Sequence, residues 1–277
     1  MKYGEKELKE LQETLSEMLT YVDEICKKKN LIYFLYGGTA LGAKRHHGFI
    51  PWDDDLDIVM PRNDYDVLID YLMNQNKKGE YFIQNERTES SYYLFYSKLR
   101  KNGTVFKEEY SNEAYHHYGV FLDIFPMDEV KSKTSFEIKL RVRCIKLINA
   151  CLCFHACKNN YKKKMPPIVF FLLGVITEIM FIIPTKKWVV LENHLLKKDQ
   201  HKKCSYVMTL TNGSKLKSKE IKDKSIYFPP QSVMFENNLR NGPAMLDDYC
   251  RITYGENYME IPPVEKRVNH RPVELKL

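Results

Sequence analysis

The sequence predicts an α/β fold of the α+β kind, and three stretches carry that prediction. Residues 31–36, LIYFLY, are a short apolar run ending on Gly37-Gly38, the pattern of a buried strand entering a tight turn. Residues 39–47, TALGAKRHH, have helical composition and stop at Gly48; Pro51 and Trp52 then lead into the β-prone LDIVM of residues 56–60. Residues 119–128, GVFLDIFPMD, are a second apolar strand with an acid embedded in it.

The other elements follow in order. Leu8, Leu11, Leu15, Met18 and Val22 recur at three and four residues, so 3–29 reads as an amphipathic helix covering a sheet. Arg62-Asn63-Asp64-Tyr65 opens another helix, with Tyr65, Leu68, Ile69 and Leu72 on its apolar face. Residues 92–106 read as a hairpin closing at Asn102-Gly103. Residues 167–184, PIVFFLLGVITEIMFIIP, are an apolar helical segment interrupted by Glu178 and flanked by Lys162–Lys164 and Lys186-Lys187. A spanning helix needs about 20 apolar residues, so this one is expected to pack in the core or to contact a membrane surface, with spanning as the remaining alternative. Three regions are expected: a catalytic core over 1–130, a basic and apolar helical insertion over 131–204, and a closing helical and loop region of the same domain over 205–277.

The chemistry concentrates at Asp53, Asp54, Asp55 and Asp57. Four carboxylates in five positions repel one another, and a hard cation such as Mg²⁺ (or Mn²⁺) is what usually holds such a cluster together. On a strand, Asp55 and Asp57 share one face, Asp53 is in phase with them if the strand starts early, and Asp54 points away. Asp123 is costly to bury unless paired or metal-bound, which makes it the expected third ligand or the general base. Asp128 suits a cap for the next helix. The glycine turn upstream opens a helix whose bare N–H groups and positive end favour phosphate. Phosphate cradle and metal carboxylates together are the parts of metal-dependent phosphoryl chemistry.

Further basic candidates surround this core. Lys98 and Arg100 lie two apart on one strand face, suited to donor phosphates or simply to solvent. Arg62 suits either a phosphate or a helix-start salt bridge. Lys44 and Arg45 lie in the helix after the turn; His46 and His47 suit surface packing better than ligation.

Charge is split along the chain. Residues 1–130 carry 16 Lys+Arg against 23 Asp+Glu, and residues 131–277 carry 27 against 13. That asymmetry suits a phosphate-rich substrate or an anionic membrane, and no Arg/aromatic recognition module points to nucleic acid. Seven cysteines, an odd number, and a charged, amphipathic first twenty residues suggest a reducing cytoplasm. Cys151, Cys153 and Cys157 around His155 lack the usual spacing of a zinc site and suit a helix face.

The run from Gly37-Gly38-Thr39 through Leu41-Gly42, Arg45, Gly48-Phe49-Ile50-Pro51-Trp52 and the acids, followed by MPRNDY, DIFPMD and a late YGENYMEIPP, closely resembles the LicD family. The likeness is dense over about 31–128, fades over about 130–195 and returns over about 205–277. It implies a nucleotidyltransferase-like mixed sheet flanked by helices, with Gly37, Gly38 and Thr39 as the turn and Asp55, Asp57 and Asp123 as the acids. Arg45, Lys98 and Arg100 match basic positions that would contact the donor, and Arg267 and His270 fit a terminal signature. The mild departure is Ala40, where a larger apolar residue is common. The resemblance further implies transfer of a phosphoalcohol, phosphocholine or a polyol phosphate, from a CDP-activated donor such as CDP-choline to a glycan, which can be lipid-linked. Asp53 or Asp123 would orient or deprotonate the acceptor hydroxyl. Two alternatives keep much of the same platform: a true nucleotidyltransferase, and a silent protein that binds glycan or lipid-linked partners.

Overall fold

The computed structural model describes residues 4–75, 79–108, 115, 117–158, 165–200, 202–210, 220–267, 269–270 and 272–277. Its centre is a mixed sheet in the order β1 (Phe34–Leu35), β2 (Asp57–Pro61), β6 (Phe121–Val130), β4 (Ser97–Lys101), β3 (Tyr81–Gln84). β2 and β6 run parallel and the other pairs antiparallel. The far half of the ten-residue β6 continues past β4 to pair with β7 (Tyr206–Met208), and β8 (Ile221–Asp223) joins β7. The mixed α+β architecture expected from the sequence is therefore present.

Helices cover the sheet. α1 (Glu5–Lys29) buries Leu11, Leu15, Met18 and Val22 of the expected stripe, but not Leu8, adds Leu19 and Ile25, and ends at Asn30, whose left-handed backbone suits asparagine. α2 (Gly37–His46) follows β1 directly, and α3 (Arg62–Gln75) follows β2. Arg62 at the start of α3 makes a buried bidentate pair with Asp128 on β6, Nε–Oδ1 and Nη2–Oδ2 both 2.7 Å. The salt-bridge reading of Arg62 is the one that holds, and Asp128 is its partner rather than a helix cap. Ser135 caps α4 (Phe136–Ala156) instead, its Oγ accepting from the Ile138 N–H.

The structure corrects one expectation and narrows another. The turn at Asn102-Gly103 forms, with Gly103 at φ +81°, but 92–106 is not a hairpin. β4 is already flanked by β3 and β6, so β5 (Val105–Lys107) turns away and pairs with β11 (Glu274–Lys276). The segment 167–184, left open between core and surface, lies at the surface with one face against α4. It forms α5 (Pro167–Met180), of which Thr177 alone is buried, and then bends by 93° into α6 (Thr185–Leu196). Among the described residues no single helix is long and apolar enough to cross a membrane, and the bent pair reaches that length only together.

Cys151, Cys153 and Cys157 sit on or at the end of α4, and burial pushes the Cys153 thiol up to about 12, which suits packing rather than ligation. The remaining elements are the hairpin β9 (Gln231–Phe235) and β10 (Asn238–Gly242) and the helix α7 (Leu246–Tyr254).

Candidate active site

The site lies where α2 begins and β2 meets β6. The parallel register puts Asp57 beside Asp123, and the antiparallel register puts Lys98 on the other side of Asp123. One row across three strands thus reads Asp57, Asp123, Lys98. The Lys98 ammonium lies 2.8 and 3.0 Å from the two Asp123 oxygens and 3.5 Å from the centre of the Phe121 ring. Lys98 is therefore the charge partner of Asp123 and neutralises part of the cluster.

Gly37 and Gly38 are glycines for a spatial reason. A Cβ on Gly37 would stand 2.8 Å from Asp57 Oδ2, and one on Gly38 would stand 2.7 Å from Asp53 Oδ2. Gly37 also has φ +54°, a backbone state unfavourable to L side chains. The first turn of α2 therefore faces carboxylates at close range, and its positive end offsets part of their charge. The helix start is held from both sides. Thr39 Oγ1 accepts from the Asp57 N–H at 2.9 Å, and the Tyr249 hydroxyl on α7 accepts from the Gly37 N–H at 2.9 Å.

The strand begins later than the sequence suggests, at Asp57. Asp53, Asp54 and Asp55 lie in the approach loop after the Pro51-Trp52 turn, and Gln12 on α1 holds the Asp53 carbonyl at 2.9 Å. Three adjacent like charges give that loop no reason to join the ladder. Asp54 is buried and accepts from the His270 N–H at 2.9 and 3.0 Å, and it does not turn fully away from the acids, since one of its oxygens lies within 4.8 Å of one on Asp55. Its Oδ1 is 3.2 Å from His270 Nδ1, and Asp55 Oδ2 is 3.6 Å from the same nitrogen.

Proton affinities record the crowding. Burial, then the charge of Asp55 and the hydrogen bond with it, push Asp53 up to about 9. Burial followed by the charges of Asp55 and Asp123 pushes Asp57 well above the usual carboxylate range. Asp123 is raised by burial, with Lys98 working against the rise. Burial opposes the charge on His270, but the Asp54 hydrogen bond and the charges of Asp55 and Glu108 outweigh it and raise the imidazole to about 10. The carboxylates thus face Lys98, His270 and a helix start.

A divalent cation fits this deficit. The donors are hard carboxylate oxygens, and the repulsion among Asp55, Asp57 and Asp123 is what a cation would remove. Among the described residues, Asp54, Asp55 and His270 form a compact ligand group, with ligand atoms within 4.8 Å of one another. Asp54 already accepts three hydrogen bonds or contacts from His270, so that group is better understood as a clamp on Asp55 than as a closed coordination sphere.

Arg100 and Arg45 are not brought to the carboxylates. Arg100 is buried, donating to Gln84 Oε1 and to the Gly119 carbonyl at 2.6 Å. Arg45 Nη1 donates to the Tyr258 and Glu260 carbonyls at 2.9 and 3.0 Å, tying α2 to the segment after α7. Lys44 pairs with Asp247 on α7 at 2.7 Å. Arg267 lies over the Trp52 ring at 4.2 Å, and His46 meets the same ring edge-on. The aromatic rings of Tyr36, Tyr96 and Tyr254 also border the acids: after burial, the charges of Asp57 or Asp123 are what raise their hydroxyls. A cavity of about 300 Å³ lies elsewhere, between α3 and α6, and none of the site's acids lines it.

Residues 30–144 match the family model described as LicD/FKTN/FKRP, nucleotidyltransferase domain. The chain carries a LicD-family domain. The full chain is also 27% identical over 271 residues to the lipopolysaccharide cholinephosphotransferase LicD of Haemophilus influenzae, covering 95% of each protein. It is 27% identical over 124 residues to an uncharacterized protein of Rickettsia prowazekii, covering 43% of this chain and 46% of that one. The matched domain contains the glycine turn together with Asp53, Asp54, Asp55, Asp57 and Asp123. It stops inside α4, whereas Tyr249 and His270, which hold Gly37 and Asp54, come from outside it.

Proposed function

We propose that this chain transfers a phosphoalcohol, phosphocholine first among them, from a CDP-activated donor to a sugar hydroxyl of a cell-surface glycan, at the cytoplasmic side. What carries the proposal is the row of Asp57 and Asp123 on adjacent parallel strands, with Asp53 and Asp55 beside it, under the first turn of α2. The likeness to a lipopolysaccharide cholinephosphotransferase over 95% of both chains supports phosphocholine and a glycan acceptor.

Asp55, Asp57 and Asp123 would hold Mg²⁺ or Mn²⁺, which when bound neutralises the donor diphosphate and the departing CMP. The chain's residues do the rest. The first turn of α2, its Gly37 N–H already held by Tyr249, would offer its positive end to the donor phosphates beside the carboxylates for which Gly37 and Gly38 make room. Asp53 would take the proton of the acceptor hydroxyl in its ionised form, which a cation beside Asp55 favours by offsetting the charge that raises its proton affinity, as the hydroxyl oxygen bonds to phosphorus and the bond to CMP breaks. Lys98 favours the ionised form of Asp123, against the burial that raises its proton affinity. The hydroxyls of Tyr36, Tyr96 and Tyr254 lie within the electrostatic reach of these acids, and an aromatic face near them would suit a quaternary ammonium. Positioning and charge stabilisation would provide most of the acceleration.

The test is CMP release from CDP-choline with a glycan acceptor and Mg²⁺. Asp57→Asn and Asp123→Asn should each lower turnover by about 10³-fold or more while leaving the circular dichroism spectrum intact. Near-normal turnover by both variants would remove the metal role. The nucleotidyltransferase alternative is favoured by the domain description alone. It predicts pyrophosphate release and a nucleotide on the acceptor, which mass analysis of the product separates. Absence of any transfer or Mg²⁺ binding would leave a silent binder of glycan or lipid-linked partners.

A further inference from the structure

We infer that α5 and the turn that follows it dock this protein on an anionic lipid bilayer, lying in the headgroup plane without crossing it. The inference does not depend on which group the acidic site transfers.

The observation is a helix apolar on both sides. Phe170, Leu173, Gly174, Thr177 and Met180 form the inner face, partly or fully covered, with Phe170 5.2 Å from the Phe154 ring of α4. The opposite face of a surface helix is normally polar. Here it is Ile168, Phe171, Leu172, Val175, Ile176 and Ile179, all exposed, Ile168 at 66% and Phe171 and Ile179 at 64%. The turn adds Ile182, 82% exposed, and Ile183. A contiguous apolar patch of this kind marks an interaction surface. The single acid on that side, Glu178, is paired with Lys158 at 3.0 Å.

Length and charge choose the occupant. Fourteen helical residues reach about 21 Å, short of the roughly 30 Å of a hydrocarbon core, and the chain then turns by 93°. That geometry lays the helix along an interface rather than through it. Lys186 and Lys187 stand exposed immediately after the apolar turn, and residues 131–204 carry 16 Lys+Arg against 4 Asp+Glu. Anionic headgroups complement that charge. A second copy does not, because pairing two such faces would set basic segments together with few acids to receive them.

The full chain should co-sediment with phosphatidylcholine vesicles containing phosphatidylglycerol, and much less with phosphatidylcholine alone. Phe171→Ser with Ile179→Ser should weaken that binding about 10-fold or more, with an unchanged melting curve because both side chains are exposed. Lys186→Gln with Lys187→Gln should reduce the preference for the anionic vesicles several-fold. Light scattering without vesicles should find a monomer. Three results would overturn the inference: no vesicle binding by the wild type, equal binding by the Ser double variant, or a wild-type dimer that this variant dissolves. The last would assign the face to a second copy.

Discussion

At the scale of single residues, the site depends on atoms that are missing. Gly37→Ala places a Cβ against Asp57 at a positive φ, and Gly38→Ala places one against Asp53. Gly37→Ala should cost about 1–3 kcal/mol of stability from backbone strain. Both variants should depress transfer well beyond their effect on folding, because each displaces a carboxylate. Denaturant titration beside the CMP-release assay separates the two effects; activity that tracks stability alone would deny the glycines a role in shaping the site. The acids were legible from the sequence because Asp57 and Asp123 each sit in an apolar run, where an unpaired charge has no cheap alternative. The partners of the surrounding residues were not. Nothing near Asp54 in sequence announces His270, 216 positions away, and the Gly37 N–H gives no hint that Tyr249 will accept it. Arg100 and Lys98 look equivalent on paper, two apart on one strand. Only the neighbouring strands decide that one meets Asp123 and the other Gln84 and the Gly119 carbonyl.

At the scale of elements, periodicity found α1 and α3 correctly because their apolar faces are continuous and their partners lie on the sheet. It misread 92–106, since a strand–turn–strand pattern does not state which neighbour each strand will pair with. It also left 167–184 open between core and surface, because composition alone does not say what covers a helix. The contact between α4 and α6 holds a further consequence. Glu192 on α6 is fully buried, and neither of its oxygens has a hydrogen-bond partner among the described residues. Burial pushes its carboxyl up to about 9 from 4.5. Between those values the folded chain keeps a proton that the unfolded chain releases, so stability falls as pH rises from about 4.5 toward about 9. Glu192→Gln should remove that slope and gain at least ~1 kcal/mol at alkaline pH. Chemical denaturation at acidic, neutral and alkaline pH measures it; parallel curves for the two proteins would mean the carboxyl is not buried neutral.

At the scale of the whole molecule, the C-terminal strap completes the site. β11 pairs with β5, the Val273 N–H donates to the Lys107 carbonyl at 2.8 Å, and His270 is thereby delivered to Asp54 and Asp55. Deleting residues 269–277 should lower transfer about 10²-fold through misplacement of Asp55, while far-UV circular dichroism stays near that of the intact chain. Full activity in the truncated protein would reduce the strap to surface trim. The split of charge along the chain now has a spatial sense: acids gather at the β2–β6 seam, and the basic excess begins with the α4–α6 region.

That seam also sets an order of events in folding. Parallel neighbours cannot be joined by a tight turn, so β2 and β6 meet only after the intervening residues 62–120 have closed into a long loop. The cost of closure is met before the pairing rewards it, and the two strands arrive carrying like charges on the row they must share. Local structure such as α1 and the β9–β10 hairpin can form without that meeting. The working centre cannot, and a chain that has gained most of its secondary structure still has no row of acids. Under the proposed function, transfer therefore reports on this long-range pairing of strands.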